Sequence, residues 1–186
     1  MSRTRATNRS NRRRFAGRLV FVLGGSSSGK SEAAIRLAGR KRPRAFVATG
    51  QELDGEMAAR IAHHRATRSP DWTTAEVPVE LAGWFKRQGN TYRTIVVDCV
   101  TLWLSNLHGR KDNHAAITKR VTELLRAIRT TSARVVIVSN ELGLGLVPVE
   151  RSVRAFRDLA GRVNQQIATE ADEVHLVVSG IPFQLK

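Results

Sequence analysis

The 186 residues contain a single cysteine, Cys99. No disulfide can therefore form within the chain, and a reducing, cytoplasmic setting is expected. No apolar run reaches the ~18 residues that a membrane-crossing helix requires, so no membrane span is expected. Acid is scarce as well: 16 Asp and Glu stand against 31 Lys and Arg, a formal net charge of +15. Where that excess sits matters more than its size. Residues 1–18, MSRTRATNRSNRRRFAGR, hold seven arginines and no carboxylate, which is about half of the imbalance. Such a segment cannot bury apolar surface, and residues 1–17 are expected to be a disordered basic tail. The tail lacks the apolar core of a secretory signal. Its Arg/Ser-rich make-up loosely resembles a transit peptide but carries no amphipathic stripe, so it reads as an incidental extension.

What remains, residues 18–186, is enough for one domain with a substantial core, and the whole chain is 41% hydrophobic and 25% charged. Short β-branched, apolar runs recur: 18–25 (RLVFVLGG), 44–50 (RAFVATG), 94–101 (TIVVDCVT), 134–143 (RVVIVSNELG) and 172–182 (DEVHLVVSGIP), with a further short strand over TTAEVP. Between them lie stretches at helical spacing. Among these are SEAAIRLAGR, GEMAARIAHHRATR, VELAGWFKRQ, VRAFRDLAGRVNQQIATEA and ITKRVTELLRAIRTT, where Ile117, Val121, Leu124, Leu125 and Ile128 share one face. Strands without a polar face, alternating with helices, point to a three-layer α/β fold with a mostly parallel sheet.

The most specific signal is Gly24-Gly25-Ser26-Ser27-Ser28-Gly29-Lys30-Ser31, a full match to G-x-x-x-x-G-K-[ST] placed after a buried strand and before a helix. Its glycines let backbone N–H groups wrap phosphate oxygens, and the helix N-terminus adds a favourable dipole. Lys30 is expected to reach the β- and γ-phosphates, and the Ser31 hydroxyl to ligate Mg²⁺. Asp98, at the end of Ile95-Val96-Val97-Asp98, is of the form expected for the acidic residue of the Mg²⁺ shell. The sequence thus predicts a P-loop binder of nucleoside triphosphate with Mg²⁺. No N/TKxD-like guanine motif is present, which weighs against a GTPase switch.

EMAARIAHHRATRSPDW, residues 56–72, poses a separate question. His63 and His64 are about 100° apart on a helix and cannot face one ion together, and no Glu or Cys completes a metal set. Arg60, Arg65 and Arg68 allow nucleic-acid contact, but no aromatic residue is interleaved for base stacking. A solvated basic face is the plain reading. Against it, Arg60, His64 and Arg68 recur at i, i+4, i+8. Two flanking guanidiniums would keep an imidazole neutral and nucleophilic while stabilising charge on an attacked phosphate. Residue spacing leaves both readings open.

LGGSSSGKS, FVATGQELDGEMAARIAHHRATRSPDWTTAE, VVDCVTLWLSNL, VVIVSNELGLGLVP, FRDLAGRVNQQIA and ADEVHLVVSGIP together resemble the bifunctional adenosylcobinamide kinase / adenosylcobinamide-phosphate guanylyltransferase family of cobalamin biosynthesis, over about residues 18–186. SNELGLGLVP and AGRVNQ are the distinctive parts, since ordinary small-molecule kinases lack them. The resemblance implies a RecA-like P-loop fold and two reactions: ATP or GTP phosphorylates the aminopropanol hydroxyl of adenosylcobinamide, and GMP from GTP is then joined to that phosphate. The guanylyl step runs in the family through a covalent GMP–histidine phosphoramidate. The family pattern R-I-x-x-H places that nucleophile at His64. By the same matching, Ala48, Thr49, Gly50, Arg65, Ala66, Thr67, Arg68, Glu76 and Asp98 fall on nucleotide-contact positions. Family members are similar to a homotrimer with active sites between subunits. Two departures stand out: Ser27 replaces the usual arginine of the phosphate loop, and Gly50 stands where a small hydroxyl residue is common.

Two other readings compete. One is a P-loop small-molecule kinase lacking one of the two activities. The other is a RecA-like nucleic-acid-associated ATPase using the arginine tail. The second is disfavoured, because no further basic or aromatic docking element follows the tail; small-molecule substrates and no specific nucleic acid are expected.

Overall fold

The computed structural model describes residues 17–52, 54–66, 69–110 and 112–186. Residues 1–16, Thr67 and Arg68 lie outside the described residues, as do the side chains of Arg60, His63 and His64. Of the expected basic tail only Gly17 is therefore described, and its N–H donates to the Thr131 carbonyl at 2.7 Å.

The chain runs β1 (Leu19–Gly24), α1 (Lys30–Ala38), β2 (Arg44–Ala48), α2 (Gly55–Ala66), β3 (Trp72–Glu76), α3 (Leu81–Gln88), a short 3-10 turn (Gly89–Thr91), β4 (Thr94–Asp98), α4 (Val100–Gly109), α5 (His114–Arg129), β5 (Arg134–Asn140), α6 (Arg151–Glu170), β6 (Glu173–Val178) and β7 (Ile181–Gln184). The strands form one sheet in the order β3-β2-β4-β5-β1-β6-β7. Every pairing is parallel except that of β6 with β7. One strand, β5, separates β1 from β4, and the C-terminal ends of all three lie on the same edge.

Period-2 alternation within the strands explains the three layers. Leu19, Phe21, Ile95, Val97, Val135 and Ile137 point to one face, where α3, α4, α5 and α6 supply Phe85, Trp103, Leu124, Ile128 and Leu159. Val20, Val22, Val96, Val136 and Val138 point to the other, against Ala33, Ala34 and Ala38 of α1. Alanines there let the helix that follows the phosphate loop lie close on the sheet. A strand buried on both faces has no polar side, which is why these segments read as continuous apolar runs.

The structure corrects several expected element ends, and the strand expected over 134–143 stops at Asn140. The strand expected over 94–101 stops at Asp98, and Val100 opens α4. Val100, Trp103, Leu104 and Leu107 of this helix are all buried, so it too reads as unbroken hydrophobicity, and an apolar run alone does not separate strand from helix. The closing strand expected over 172–182 is a hairpin. Ser179 and Gly180 have φ of 50° and 81°, the left-handed pair of a tight two-residue turn, and β7 returns antiparallel.

Candidate active site

The phosphate loop is built from main-chain geometry. β1 ends at Gly24, where a Cβ would stand 2.4 Å from Ser28 Oγ and 2.8 Å from the Val177 carbonyl oxygen; only glycine fits. Ser27 (φ 54°) and Gly29 (φ 81°) are both left-handed, which folds the chain back before Lys30 starts α1. Lys30 Nζ arches over the loop and donates to the Gly25 carbonyl at 3.0 Å. The β6–β7 turn braces the loop from outside: Gly180 N–H donates to the Ser28 carbonyl at 2.8 Å.

Beside the loop lies a cavity of about 580 Å³, bordered by Ser26, Lys30, Ser31, Phe46, Ala48, Gly50, Gln51, Glu52, Met57, Ile61, Arg65, Thr74, Glu76, Pro78, Asp98, Cys99, Leu102 and Asn140. It sits at the C-terminal ends of the parallel strands, where open α/β sheets bind ligands. Of the residues expected from sequence, Ser26, Lys30, Ser31, Ala48, Gly50, Arg65, Glu76 and Asp98 border it together. Gly24, Gly25, Ser27, Ser28 and Gly29 shape the loop behind, and Ala66 ends α2 without reaching the cavity wall.

Thr49 has another part. It is fully buried, its hydroxyl donates to the Cys99 carbonyl at 2.7 Å, and the same oxygen accepts from Cys99 N–H at 2.8 Å. Its carbonyl accepts from Asn106 Nδ2 at 2.8 Å, and that amide also donates to the Pro78 carbonyl at 2.9 Å. Thr49 thus ties the end of β2 to the end of β4, holding Ala48 and Gly50 at the rim beside Asp98.

The far wall belongs to α2. Asp54 caps it, with Met57 N–H donating to Asp54 Oδ1 at 2.7 Å. Met57, Ile61 and Arg65, four residues apart, line the cavity, and Arg65 forms an ion pair with Glu76 at the tip of β3. Position 64 falls seven residues after Met57, about 20° from it around the helix axis, whereas 63 is turned about 120° away. At Gly50, a Cβ would come within 3.3 Å of Ile61 Cδ1 and 3.5 Å of Leu102 Cδ1. The missing hydroxyl residue at that position thus accompanies a close seat for Ile61.

The site's cysteine is inert. Burial, reinforced by the neighbouring Asp98 charge, pushes the Cys99 thiol up to about 12, so it stays protonated at neutral pH. Among the described residues no group of three or more His, Cys, Asp or Glu gathers to hold a metal. A Mg²⁺ that arrives with a polyphosphate needs only one or two protein oxygens. Ser31 and Asp98 border the same cavity and supply hard oxygen donors of that kind.

Sequence reasoning passed over Gln51, Glu52, Thr74 and Asn140, which border the cavity because of how the strands are ordered. Only position at a strand's C-terminal end could have flagged them.

A phosphate loop on the first strand, a lysine and serine opening the next helix, and an aspartate two strands away define a P-loop nucleotide-binding α/β protein. Residues 20–185 match the family described as cobinamide kinase / cobinamide phosphate guanyltransferase, and the chain belongs to that family. It is 42% identical over 180 residues to the bifunctional adenosylcobalamin biosynthesis protein CobU of Escherichia coli K12, covering 90% of this chain and 99% of that one. The protein of the same description from Salmonella typhimurium LT2 is 41% identical over 180 residues, with the same coverage. The bifunctional adenosylcobalamin biosynthesis protein CobP of Pseudomonas aeruginosa PAO1 is 41% identical over 167 residues, 89% of this chain and 96% of that one. Among solved structures the chain is similar to a KaiC-like protein of Pyrococcus horikoshii OT3 (TM-score 0.48, 12% identity, 87% of this chain and 71% of that one). It is similar also to the RadB recombinase (TM-score 0.48, 19% identity, 87% and 75%).

Proposed function

We propose that this chain phosphorylates the aminopropanol hydroxyl of adenosylcobinamide with ATP or GTP, and then transfers GMP from GTP to that phosphate through His64. The observation that carries this reading is the single cavity shared by the phosphate loop and the α2 wall: Lys30, Ser31 and Asp98 face Met57, Ile61 and Arg65 across it.

In the first reaction the loop's backbone N–H groups and Lys30 hold the β- and γ-phosphates in line with the acceptor hydroxyl. Ser31 Oγ and the Asp98 carboxylate are the groups that would hold Mg²⁺, which when bound neutralises charge on the β- and γ-phosphoryl oxygens. In the second, an imidazole nitrogen of His64 bonds to Pα of GTP and the bond from Pα to pyrophosphate breaks. A phosphate oxygen of the acceptor then bonds to Pα, and the P–N bond breaks to give adenosylcobinamide-GDP and free imidazole. Dividing the transfer between two polyphosphates into two displacements lowers each barrier. Support for His64 over His63 comes from its register with Met57 on the cavity side of α2. Arg65, and Arg68 beyond it, are assigned to the nucleotide with Ala48, Gly50 and Glu76.

Incubation with α-labelled GTP and Mg²⁺ followed by denaturation tests this. The expected result is a protein-bound label, acid-labile and base-stable, absent in His64→Ala and retained in His63→Ala. Loss of label in His63→Ala alone would overturn the assignment.

A cytoplasmic homotrimer belongs to the same reading. The segment after β5 leaves Leu146 96% and Val149 94% exposed, an aliphatic surface of the kind that subunit interfaces cover. Light scattering of the full chain is expected to give three times the protomer mass, and a monomer at micromolar concentration would exclude it.

A further inference from the structure

The cavity opens at the C-terminal ends of the parallel strands, and the opposite end of the sheet is cationic. In four neighbouring strands the first residue, or the one before it, is arginine: Arg44 in β2, Arg93 before β4, Arg134 in β5 and Arg18 before β1. Adjacent strands lie about 4.8 Å apart, so these four positions form one short row. Main-chain bonds tie the row together. Arg93 N–H donates to the Pro43 carbonyl at 2.8 Å, Arg134 N–H to the Arg93 carbonyl at 2.9 Å, and Val135 N–H to the Arg18 carbonyl at 2.9 Å. Thr94 Oγ1 donates to the Lys41 carbonyl at 2.9 Å, which holds the connection from α1 to β2 alongside.

Part of this charge is balanced. Asp71 is shared by Arg42 and Arg44, Glu173 by Arg18 and Arg134, and Asp172 pairs with Arg129. Lys86, Arg87, Arg126 and Arg129 lie in the last turns of α3 and α5, where cations complement the helix dipole. Arg40, Lys41 and Arg93 have neither use. They stand outside helices and strands, are exposed, and form no ion pair among the described residues. Residues 1–16 join the chain at this end, through Gly17, and their sequence adds six arginines and no carboxylate. One flank of the row is apolar. There Leu185 N–H donates to the Val174 carbonyl at the start of β6, and the Leu185 side chain is 63% exposed.

We infer that this end of the sheet is a docking surface for an anionic lipid bilayer, with Arg40, Lys41 and Arg93 meeting the headgroups and Leu185 the carbon just beneath them. Each cation held near such a surface raises the partition about fivefold. No described helix is long and apolar enough to cross a membrane, so the contact is peripheral. A nucleic-acid strand is the other polyanion such a row could meet. Single strands are gripped by exposed aromatic rings as well as by charge. Here Tyr92 is stacked on Trp84, and Trp72 is buried beneath Arg44. Exposed aliphatic carbon beside the cations suits a bilayer interface better than a sugar–phosphate chain. Docking by this end also leaves the cavity turned to the water from which nucleotides arrive.

Sedimentation of the full chain with vesicles tests this. Binding is expected to vesicles of equal parts phosphatidylserine and phosphatidylcholine, to be absent with phosphatidylcholine alone, and to weaken steeply as salt is raised. In the combined variant Arg40→Gln, Lys41→Gln, Arg93→Gln the partition should fall by ~10², and further with Glu at the same three positions. Affinity for Mg²⁺·ADP should stay that of the parent in both, since none of the three residues borders the cavity. The neutral variant keeps the test open if charge reversal prevents folding. No binding to the anionic vesicles at low salt would overturn the proposal, as would equal binding to neutral ones. So would a partition unchanged in both variants, which would leave the attraction to residues 1–16 alone. Tighter binding to poly(uridine) than to anionic vesicles at equal phosphate concentration, lost in the same variants, would give the row to nucleic acid instead.

Discussion

The phosphate loop and α2 face each other across one cavity, yet they are held by different means. The loop and α1 are tied to the core: Ala33, Ala34 and Ala38 are buried, Gly24 is closed in by Ser28 and Val177, and the β6–β7 turn bonds to the loop from outside. No described residue of α2 is fully buried; Met57 and Ile61 are half-buried, and Arg65 and Glu76 pair with both side chains more than half exposed. One wall is fixed by backbone geometry, the other by surface contacts of modest strength. Segments of the second kind open at lower free energy than core elements. The difference fits a cradle that must hold a polyphosphate rigidly beside a wall that can give way.

Substitutions on each wall sharpen this contrast. Lys30→Ala should have the largest effect, abolishing phosphorylation of adenosylcobinamide while the thermal midpoint stays near that of the parent; retained turnover would remove the lysine from the site. Next, Gly24→Ala forces a Cβ against a main-chain carbonyl and should destabilise by ~1–3 kcal/mol, with loss of nucleotide affinity, in urea unfolding and ADP titration. Gly55→Ala, the matching change at the start of α2, meets nothing within 4 Å and should be neutral or stabilising by up to ~1 kcal/mol. Equal responses at the two glycines would erase the distinction between the walls.

The smallest effect concerns acid. Glu173 lies on β6, its Oε1 bonded to Arg134 at 3.1 Å, and Arg134 Nε donates to the Leu37 carbonyl of α1 at 2.9 Å. Burial alone would push the Glu173 carboxyl up, but Arg134, a bond with His175 and the Arg18 charge outweigh it and hold it below its ordinary value. A depressed folded-state pKa adds stability that is complete above the unfolded pKa and vanishes as pH falls through the folded one. Thermal midpoints should therefore drop further for the parent than for Glu173→Gln between about pH 7 and pH 3. Parallel drops would show that this clamp on the loop-bearing wall contributes nothing.

The same contrast governs what could be read in advance. The phosphate loop is local: strand, glycines, lysine and helix follow one another within thirteen residues, 19–31, so the motif and its neighbours sufficed. The three-layer arrangement was legible too, since strands apolar on both faces must be covered twice. The α4 helix was not legible, because Val100, Leu104 and Leu107 are as apolar as the strand before them. Asn140 was invisible for a deeper reason. Its position between Lys30 and Asp98 is a property of sheet order, and segments at 24, 98, 140 and 164 meet only once the sheet exists.

The Ser179–Gly180 turn carries a consequence for the order in which the molecule is made. Among the described strands, the one bearing the phosphate loop is the first to be synthesised, and its neighbour β6 comes only after β2, β3, β4 and β5. Val177, which closes over Gly24, and Gly180, which bonds to Ser28, belong to the final ten residues of the 186. A growing chain thus emerges with its nucleotide-binding signature complete in sequence and unformed in space. The β6–β7 hairpin, made long after the loop, gives that signature its shape.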